Sequence, residues 1–455
     1  MGFLRVLSPD AAGRALLTLI VLAHAAAFSW LRARFSLHLA WAVVFGMSLF
    51  FVEGFFNFQL GFALGLMFFA LADGGLHSLW RFAVALLLAT LTYFCHAEPF
   101  ALFGGAAILC ALWRRDFSTA AMAALALLPG AALLVAFLNL PETAALDWST
   151  RSVPPVLWWT YPAVKVAGIF MTCMPYSYVL GLAKLGVLGW LIAKLWRAPV
   201  GNRALALCAA ASLVLFYVVP YDIGHVTYQL DTRCLPFALL FFLLGKNLVG
   251  DWARVAAKAS VALALLTLSE QAVYFTHWSA RATELNAVVD AAPVGARVLP
   301  VIGLHALGRV NPLIHLPARE LTRGASYYPY LFRYRYHLIR EREYPGRIPL
   351  ADLNTPWNQV GFDDANCDDL YSPTGGVGTL AMPLVAIDKA IECIPWKSRA
   401  VAGGKAGQFP DIAAVAPSFD GLILLDVNSV LTSQLGALGR IVVRNGAGAY
   451  VTLVR

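Results

Sequence analysis

The sequence predicts an α-helical integral membrane bundle of about ten transmembrane helices, followed by a C-terminal soluble α/β domain. Three observations carry that expectation. Residues 14–275 are mostly apolar runs of about 16–22 residues. Charge is thin there: residues 1–275 hold 17 Lys+Arg and 11 Asp+Glu, while the shorter stretch 276–455 holds 17 and 15. The whole chain is 13% charged, against about 25% in an ordinary soluble domain. Finally, the basic residues of the first part fall in alternate loops, as orientation in a membrane requires.

A hydrocarbon core of about 30 Å takes roughly 20 apolar residues as helix, since any open backbone in lipid leaves peptide groups unpaired. Ten runs qualify: about 14–31, 38–52, 58–73, 80–95, 99–113, 118–139, 177–196, 204–220, 234–249 and 254–275. The shorter ones have to tilt little or sit beside thicker neighbours. Arg32/Arg34, Arg81, Arg114/Arg115, Lys194/Arg197/Arg203 and Lys246/Arg254/Lys258 alternate along the chain. Those loops should be cytoplasmic, with only Asp73, Asp116 and Asp251 beside them. The opposite side collects Asp10, Glu53, Glu98, Glu142, Asp147, Asp222, Asp231 and Glu270.

This assignment holds if residues 161–175 do not cross. Pro162, Lys165 and Pro175 interrupt that stretch, so it reads as an interfacial or re-entrant helix on the outer face. Trp158, Trp159, Tyr161, Tyr176 and Tyr178 suit a headgroup belt. His24 and Lys184 are the ionisable groups well inside spans; a neutral His24 and a snorkelling Lys184 fit there. The amino end shows no cleavable signal peptide. It starts outside in this scheme, with Arg5 and Arg14 against the usual bias, which a further span upstream would repair.

Beyond residue 275 the pattern changes. Residues 281–291 read as an amphipathic helix, Val294–Val301 as a short strand and Leu422–Val427 as a buried strand. Residues 440–444 and 449–454, joined through Asn445-Gly446, read as a hairpin. Residues 276–455 therefore form the expected extracytoplasmic α/β domain, with 351–380 and 401–411 as loops. The acidic loop Asp363–Asp369 starts like a calcium loop but has Asp369 and Gly375 where Gly and Glu belong. Basic and aromatic residues from Tyr327 to Arg342 form either an anionic contact or a solvated loop.

The net charge of +8 sits mostly in loops between apolar runs and does not imply nucleic acid. Seven cysteines carry no CxxC pair. Cys95, Cys110, Cys173, Cys208 and Cys234 read as packing residues; Cys367 and Cys393 are either a disulfide on an oxidising face or two buried thiols. A phosphate-cradling Gly-rich loop, an HExxH and a Gly-x-Ser-x-Gly elbow are all missing. Soluble-type nucleotide hydrolysis and serine hydrolysis are thereby set aside.

The candidate site residues share the outer side of the scheme: Glu53, Asn57, His96, Glu98, Asp222, His225, Asp231 and Arg233. A polar set beside hydrocarbon is costly and points to function. In Glu53-Gly-Phe-Phe-Asn-Phe-Gln-Leu-Gly61, Asn57 either caps a helix or binds a ligand, and Gly61 with Gly65 forms a small-xxx-small contact face. His96-Ala-Glu98-Pro99 suits a metal, a phosphate, a proton relay or a plain helix corner. Arg233 opens a span, where a guanidinium grips a lipid phosphate or pairs with Asp231 or Asp222.

At Gly54-Phe-Phe-Asn-Phe-Gln-Leu-Gly61, the His96 hairpin, Asp231-Thr-Arg233-Cys-Leu-Pro236 and Arg323-Gly-Ala-Ser-Tyr-Tyr-Pro-Tyr-Leu-Phe332, the chain resembles bacterial membrane proteins related to type-C glycosyltransferases. The resemblance implies transfer of a sugar from a polyprenyl-phosphate carrier to a glycan or lipid acceptor outside the bacterial plasma (inner) membrane. The family's acidic motif, in the first outer loop, has no counterpart here. Leu7-Ser-Pro-Asp-Ala-Ala-Gly-Arg14 resembles the approach to a later span, as in a chain that starts late or has lost the motif. Glu53, Glu98, Asp222 and Asp231 are then the substitute catalytic carboxylates. Arg233, His225, His96 and Asn57 are the substrate-binding groups, and the carboxylates serve either as general base for the acceptor or to hold a divalent metal against the donor phosphates. The alternatives are a catalytically degenerate relative that binds lipid-linked glycan or a partner, and, third, a transporter.

Overall fold

The computed structural model describes residues 9–52, 55–138, 165–166, 169–170, 172–174, 176–220, 222–223, 227–228, 230–302, 419–425, 436–445 and 448–453. The chain divides into two compact units: Met1–Pro175 with Leu180–Ser269, and Tyr176–Val179 with Glu270–Arg455.

The first unit is helical, and residues 178–179 and 270–289, the ends of two of the helices, belong to the second. Its helices are α1 (Pro9–Phe35), α2 (Trp41–Gly46), α3 (Leu49–Val52), α4 (Phe56–Asp73), α5 (Leu79–Cys95), α6 (Ala97–Trp113) and α7 (Phe117–Leu138). They continue as α8 (Tyr178–Trp196), α9 (Arg203–Val218), α10 (Cys234–Gly245) and α11 (Asp251–Val289). Several helix starts are fixed by local capping. Ser78 accepts from Arg81 N ahead of α5, and Asn202 from Leu205 N ahead of α9. Each gives an otherwise unpaired first-turn N–H a partner.

Among the described residues five helices are long and apolar enough to cross a membrane: α1, α4, α7, α8 and α11. Helices of that length and composition are what a membrane protein requires. The expectation of ten full-length spans is not met, because α5, α6, α9 and α10 have 17 residues or fewer. At 1.5 Å per residue, α10 reaches only about 18 Å. The expected span 38–52 is two short helices, α2 and α3, separated at Met47-Ser48. Gly46 packs on the buried His24 ring; a Cβ there would approach His24 Cγ at 3.0 Å. The expected span 254–275 and the amphipathic helix 281–291 are one continuous helix, α11. No glycine or proline interrupts it before Pro293. Lys184 is buried.

The core of this unit is phenylalanine-rich. Phe62 lies 5.1 Å from Phe103, 4.9 Å from Phe237 and 5.7 Å from Phe45, centroid to centroid. Lipid tails are as apolar as these rings, so close packing rather than water exclusion must hold the helices together. Gly61 and Gly65 provide it, as their spacing suggests. A Cβ at Gly65 would fall 2.6 Å from Phe103 Cδ2, and one at Gly61 3.3 Å from Cys95 Cβ.

Helix α4 measures the height of the bundle. At its start Phe58 meets His96 edge to face, 5.4 Å between ring centres. At its end Asp73 takes ion pairs from both Arg34 and Arg114. Phe58 and Asp73 are 15 positions apart, a rise of about 22 Å. Acids, imidazole and Arg233 gather at the first end, and the Arg34–Arg81–Arg114 group at the second.

In the second unit the C-terminal turns of α11 accompany a four-stranded sheet. Its strands, numbered after a two-stranded pair β1 (Asp222–Ile223) and β2 (Thr227–Tyr228), are β3 (Val298–Ile302), β4 (Gly421–Leu425), β5 (Gly439–Asn445) and β6 (Gly448–Leu453). The order is β3-β4-β6-β5, with β3 and β4 parallel and the other pairs antiparallel. Leu422–Leu425 are fully buried, as a strand covered on both faces should be. The expected pairing of 440–444 with 449–454 is present as β5 with β6, and Asn445 Oδ1 accepts from Gly448 N at 2.8 Å. Glu270 is buried and accepts from Tyr176 N and Ser177 N at 3.2 and 2.8 Å.

Candidate functional site

Four of the eight residues chosen from sequence meet at the polar end of the first unit. Helices α5 and α6 are joined by His96 alone, whose extended backbone turns the chain and whose ring caps α6. Glu98 lies in the first turn of α6, where the partial positive charge of the helix end favours a carboxylate. Asp231 and Arg233 sit in the turn that opens α10.

Arg233 is buried, 4% exposed. Its guanidinium lies 4.4 Å over the Phe55 ring and 5.7 Å over Phe58, and its Nη1 is 3.0 Å from His96 Nε2. The other ring nitrogen, Nδ1, faces the backbone N–H of Glu98 at 3.3 Å. A neutral imidazole has one acceptor nitrogen, so two donors compete for a single lone pair.

Burial first, and the Arg233 charge second, hold the His96 pKa down to about 3. The ring is neutral at pH 7. An unfolded histidine takes a proton near pH 6.5. Stability from this site is therefore complete above about pH 6.5 and is lost as the pH falls from there toward 3, by at most ~1.4 kcal/mol per pH unit. Thermal unfolding between pH 7 and 5 checks this. The wild type should lose stability across that range and His96→Gln should lose less; parallel curves would remove His96 as the source.

Glu98 is half-buried. Its Oε1 lies 3.8 Å from Cys234 Sγ, a thiol contact. Its Oε2 is shut from solvent and has no hydrogen-bond partner among the described residues. Asp231, 2% exposed, pairs with the Lys165 ammonium at 3.3 Å, and its Oδ1 accepts from Thr232 N at 2.7 Å. Burial pushes the Asp231 carboxyl up, and Lys165 opposes that push. Lys165 also donates to the Phe216 and Val219 carbonyls at the end of α9, at 2.7 and 2.6 Å. It thus ties three elements together, drawn by the negative end of a helix.

The other sequence-chosen residues stand apart. Asn57 is exposed in the first turn of α4, whereas Phe55 and Phe58 of that region face Arg233. Asp222 lies in β1, paired with Tyr228 in the backbone register. Glu53 and His225 lie outside the described residues, as do Asp363–Asp369, Tyr327–Arg342, Arg323–Phe332, Cys367 and Cys393. Within the expected interfacial stretch 161–175, residues 165–166, 169–170 and 172 are helical. Sequence reasoning misses Lys165 as a site residue and reads it as a helix interrupter. It misses Phe55, Phe58 and Cys234 as lining groups as well; a lone lysine in an apolar stretch is the available signal.

Among the described residues no three His, Cys, Asp or Glu side chains lie close enough to hold a metal ion. The chain matches no family model, no curated protein and no solved structure.

Proposed function

We propose that this protein transfers a sugar from a polyprenyl-phosphate carrier to an acceptor at the outer face of a bacterial plasma membrane, in the manner of the type-C glycosyltransferases it resembles. The observation that supports this reading is the double demand on His96. An oxyanion at the Arg233 end resolves it. Nδ1 then takes the Glu98 amide, and Nε2–H and the guanidinium both donate to a phosphate oxygen. Phe55 and Phe58 keep the site dry, where such bonds are strongest.

The Glu98 carboxylate, whose buried Oε2 has no hydrogen-bond partner among the described residues, supplies the base. It accepts the proton of the acceptor hydroxyl as that oxygen bonds to the anomeric carbon. The bond from that carbon to the phosphate oxygen breaks, and the electron pair leaves with the polyprenyl phosphate held by Arg233. Asp231 is occupied by Lys165 and acts as a positioning residue for the turn. On this reading the C-terminal unit is extracytoplasmic.

The near-complete burial of Arg233 favours one alternative, a non-catalytic protein that holds the same lipid phosphate or a partner. One assay separates the two. Purified full-length protein is given polyprenyl-phosphate-linked sugars and membrane glycan acceptors, and released polyprenyl phosphate is measured. Transfer above the protein-free background is the expected result. Retention of the lipid without release would establish the binding-only reading, and neither binding nor release would refute both.

A further inference from the structure

The opposite end of α4 carries a second polar group that the proposed reaction does not use. Asp73, at the last residue of α4, is buried and is shared by the Arg34 and Arg114 guanidiniums. Arg81 reaches the same corner from α5 and donates to the Leu71 carbonyl at 2.9 Å. Its Nε is buried and has no hydrogen-bond partner among the described residues. Gly74 lets two of these cations approach: a Cβ there would overlap the Arg81 guanidinium and press on Arg34 at 3.2 Å.

One carboxylate is thus set among three guanidiniums, with Arg32 and Arg115 in the same turns. The other acid of this corner, Asp116, is engaged. It caps α7 by accepting from Thr119 N at 2.9 Å and faces His77 at 3.7 Å. Net positive charge therefore remains at a helix corner that already orders its arginines.

Large apolar side chains stand open in the same turns. Leu79 is 83% exposed, Trp80 75%, Phe117 67% and Trp113 51%. Phosphate-seeking cations and bare indoles in the turns at one end of membrane-length helices match a ligand with an anionic head and acyl chains.

We infer that this corner seats the phosphate of an anionic phospholipid, with Arg81, Arg34 and Arg114 around the headgroup and Trp80 and Trp113 against its chains. A phosphate oxygen gives Arg81 Nε its acceptor. Along α4 the seat lies about 22 Å from the proposed transfer site, so it stands whether or not that reaction occurs.

Native mass spectrometry of the full-length protein in neutral detergent tests the seat. Phosphatidylglycerol, phosphatidylcholine and inorganic phosphate are compared as ligands. The protein should retain phosphatidylglycerol several-fold more than phosphatidylcholine, and Arg81→Gln should reduce that retention roughly five-fold without changing the zwitterionic lipid. Should Arg81→Gln fail to fold, the wild type decides alone. Equal retention of the two lipids overturns the seat. So does displacement of phosphatidylglycerol by an equal concentration of inorganic phosphate, which would make the corner a free-anion site.

Discussion

Lys165→Met should cost the protein about 3–5 kcal/mol, the penalty for leaving one member of a buried ion pair without the other. The ammonium and the Asp231 carboxylate are each 2% exposed. Methionine fills much of the volume but leaves three oxygens, those of Asp231, Phe216 and Val219, without their shared donor. Asp231→Asn should cost less, because the amide still accepts from Thr232 N. The double variant Lys165→Met/Asp231→Leu should recover more than half of the single loss, since both charges are then gone. Unfolding in a detergent series measures all three. A Lys165→Met protein within about 1 kcal/mol of wild type would mean that the pair contributes nothing.

Glu98→Gln should lower kcat by about 10²–10⁴-fold, the range for loss of a positioned general base, and leave KM nearly unchanged. Glutamine keeps the shape and the Cys234 contact but has no basic oxygen for the acceptor's proton. Arg233→Ala should behave differently. It removes a grip on the donor phosphate that exists before and during the transfer, so KM rises and kcat/KM falls further than kcat. The contrast separates a base from a binding residue. Equal loss of kcat in both variants, with KM fixed, would mean that Arg233 serves only the transition state. Unaltered turnover in Glu98→Gln would move the base to another residue.

Much of the helical unit was legible because apolar runs of membrane length leave the backbone few alternatives. Its boundaries followed from basic residues such as Arg114 and Arg115, which stand between Trp113 at the end of α6 and Phe117 at the start of α7. Hydropathy does not register a break in a helix that stays apolar, so the α2–α3 interruption beside His24 was invisible. It also overstated lengths, as at α10, where 234–249 shrinks to twelve residues. Conversely, a polar stretch at 276–281 looked like a boundary. Without Gly or Pro, α11 simply continues through it.

The site was legible in outline. His96, Glu98, Asp231 and Arg233 each stand beside the mouth of an apolar run, and alternation of those runs brings the mouths together. The pairing of Lys165 with Asp231 links positions 66 residues apart, and no local pattern encodes it. The second-end cluster follows the same logic. In the sequence Arg34, Asp73, Arg81 and Arg114 read as loop charges, while the shared carboxylate that organises them needed the helix ends to be placed.

The account rests on the polar end of the bundle facing out of the cell and the arginine end facing in. Single cysteines at Asn57 and Arg115, in a cysteine-free background, mark the two ends. With a membrane-impermeant maleimide applied to intact cells, Asn57→Cys should label at once and Arg115→Cys only after the membrane is opened. Labelling of Arg115→Cys from outside, with Asn57→Cys protected until permeabilisation, would place the proposed site on the wrong face and contradict the account.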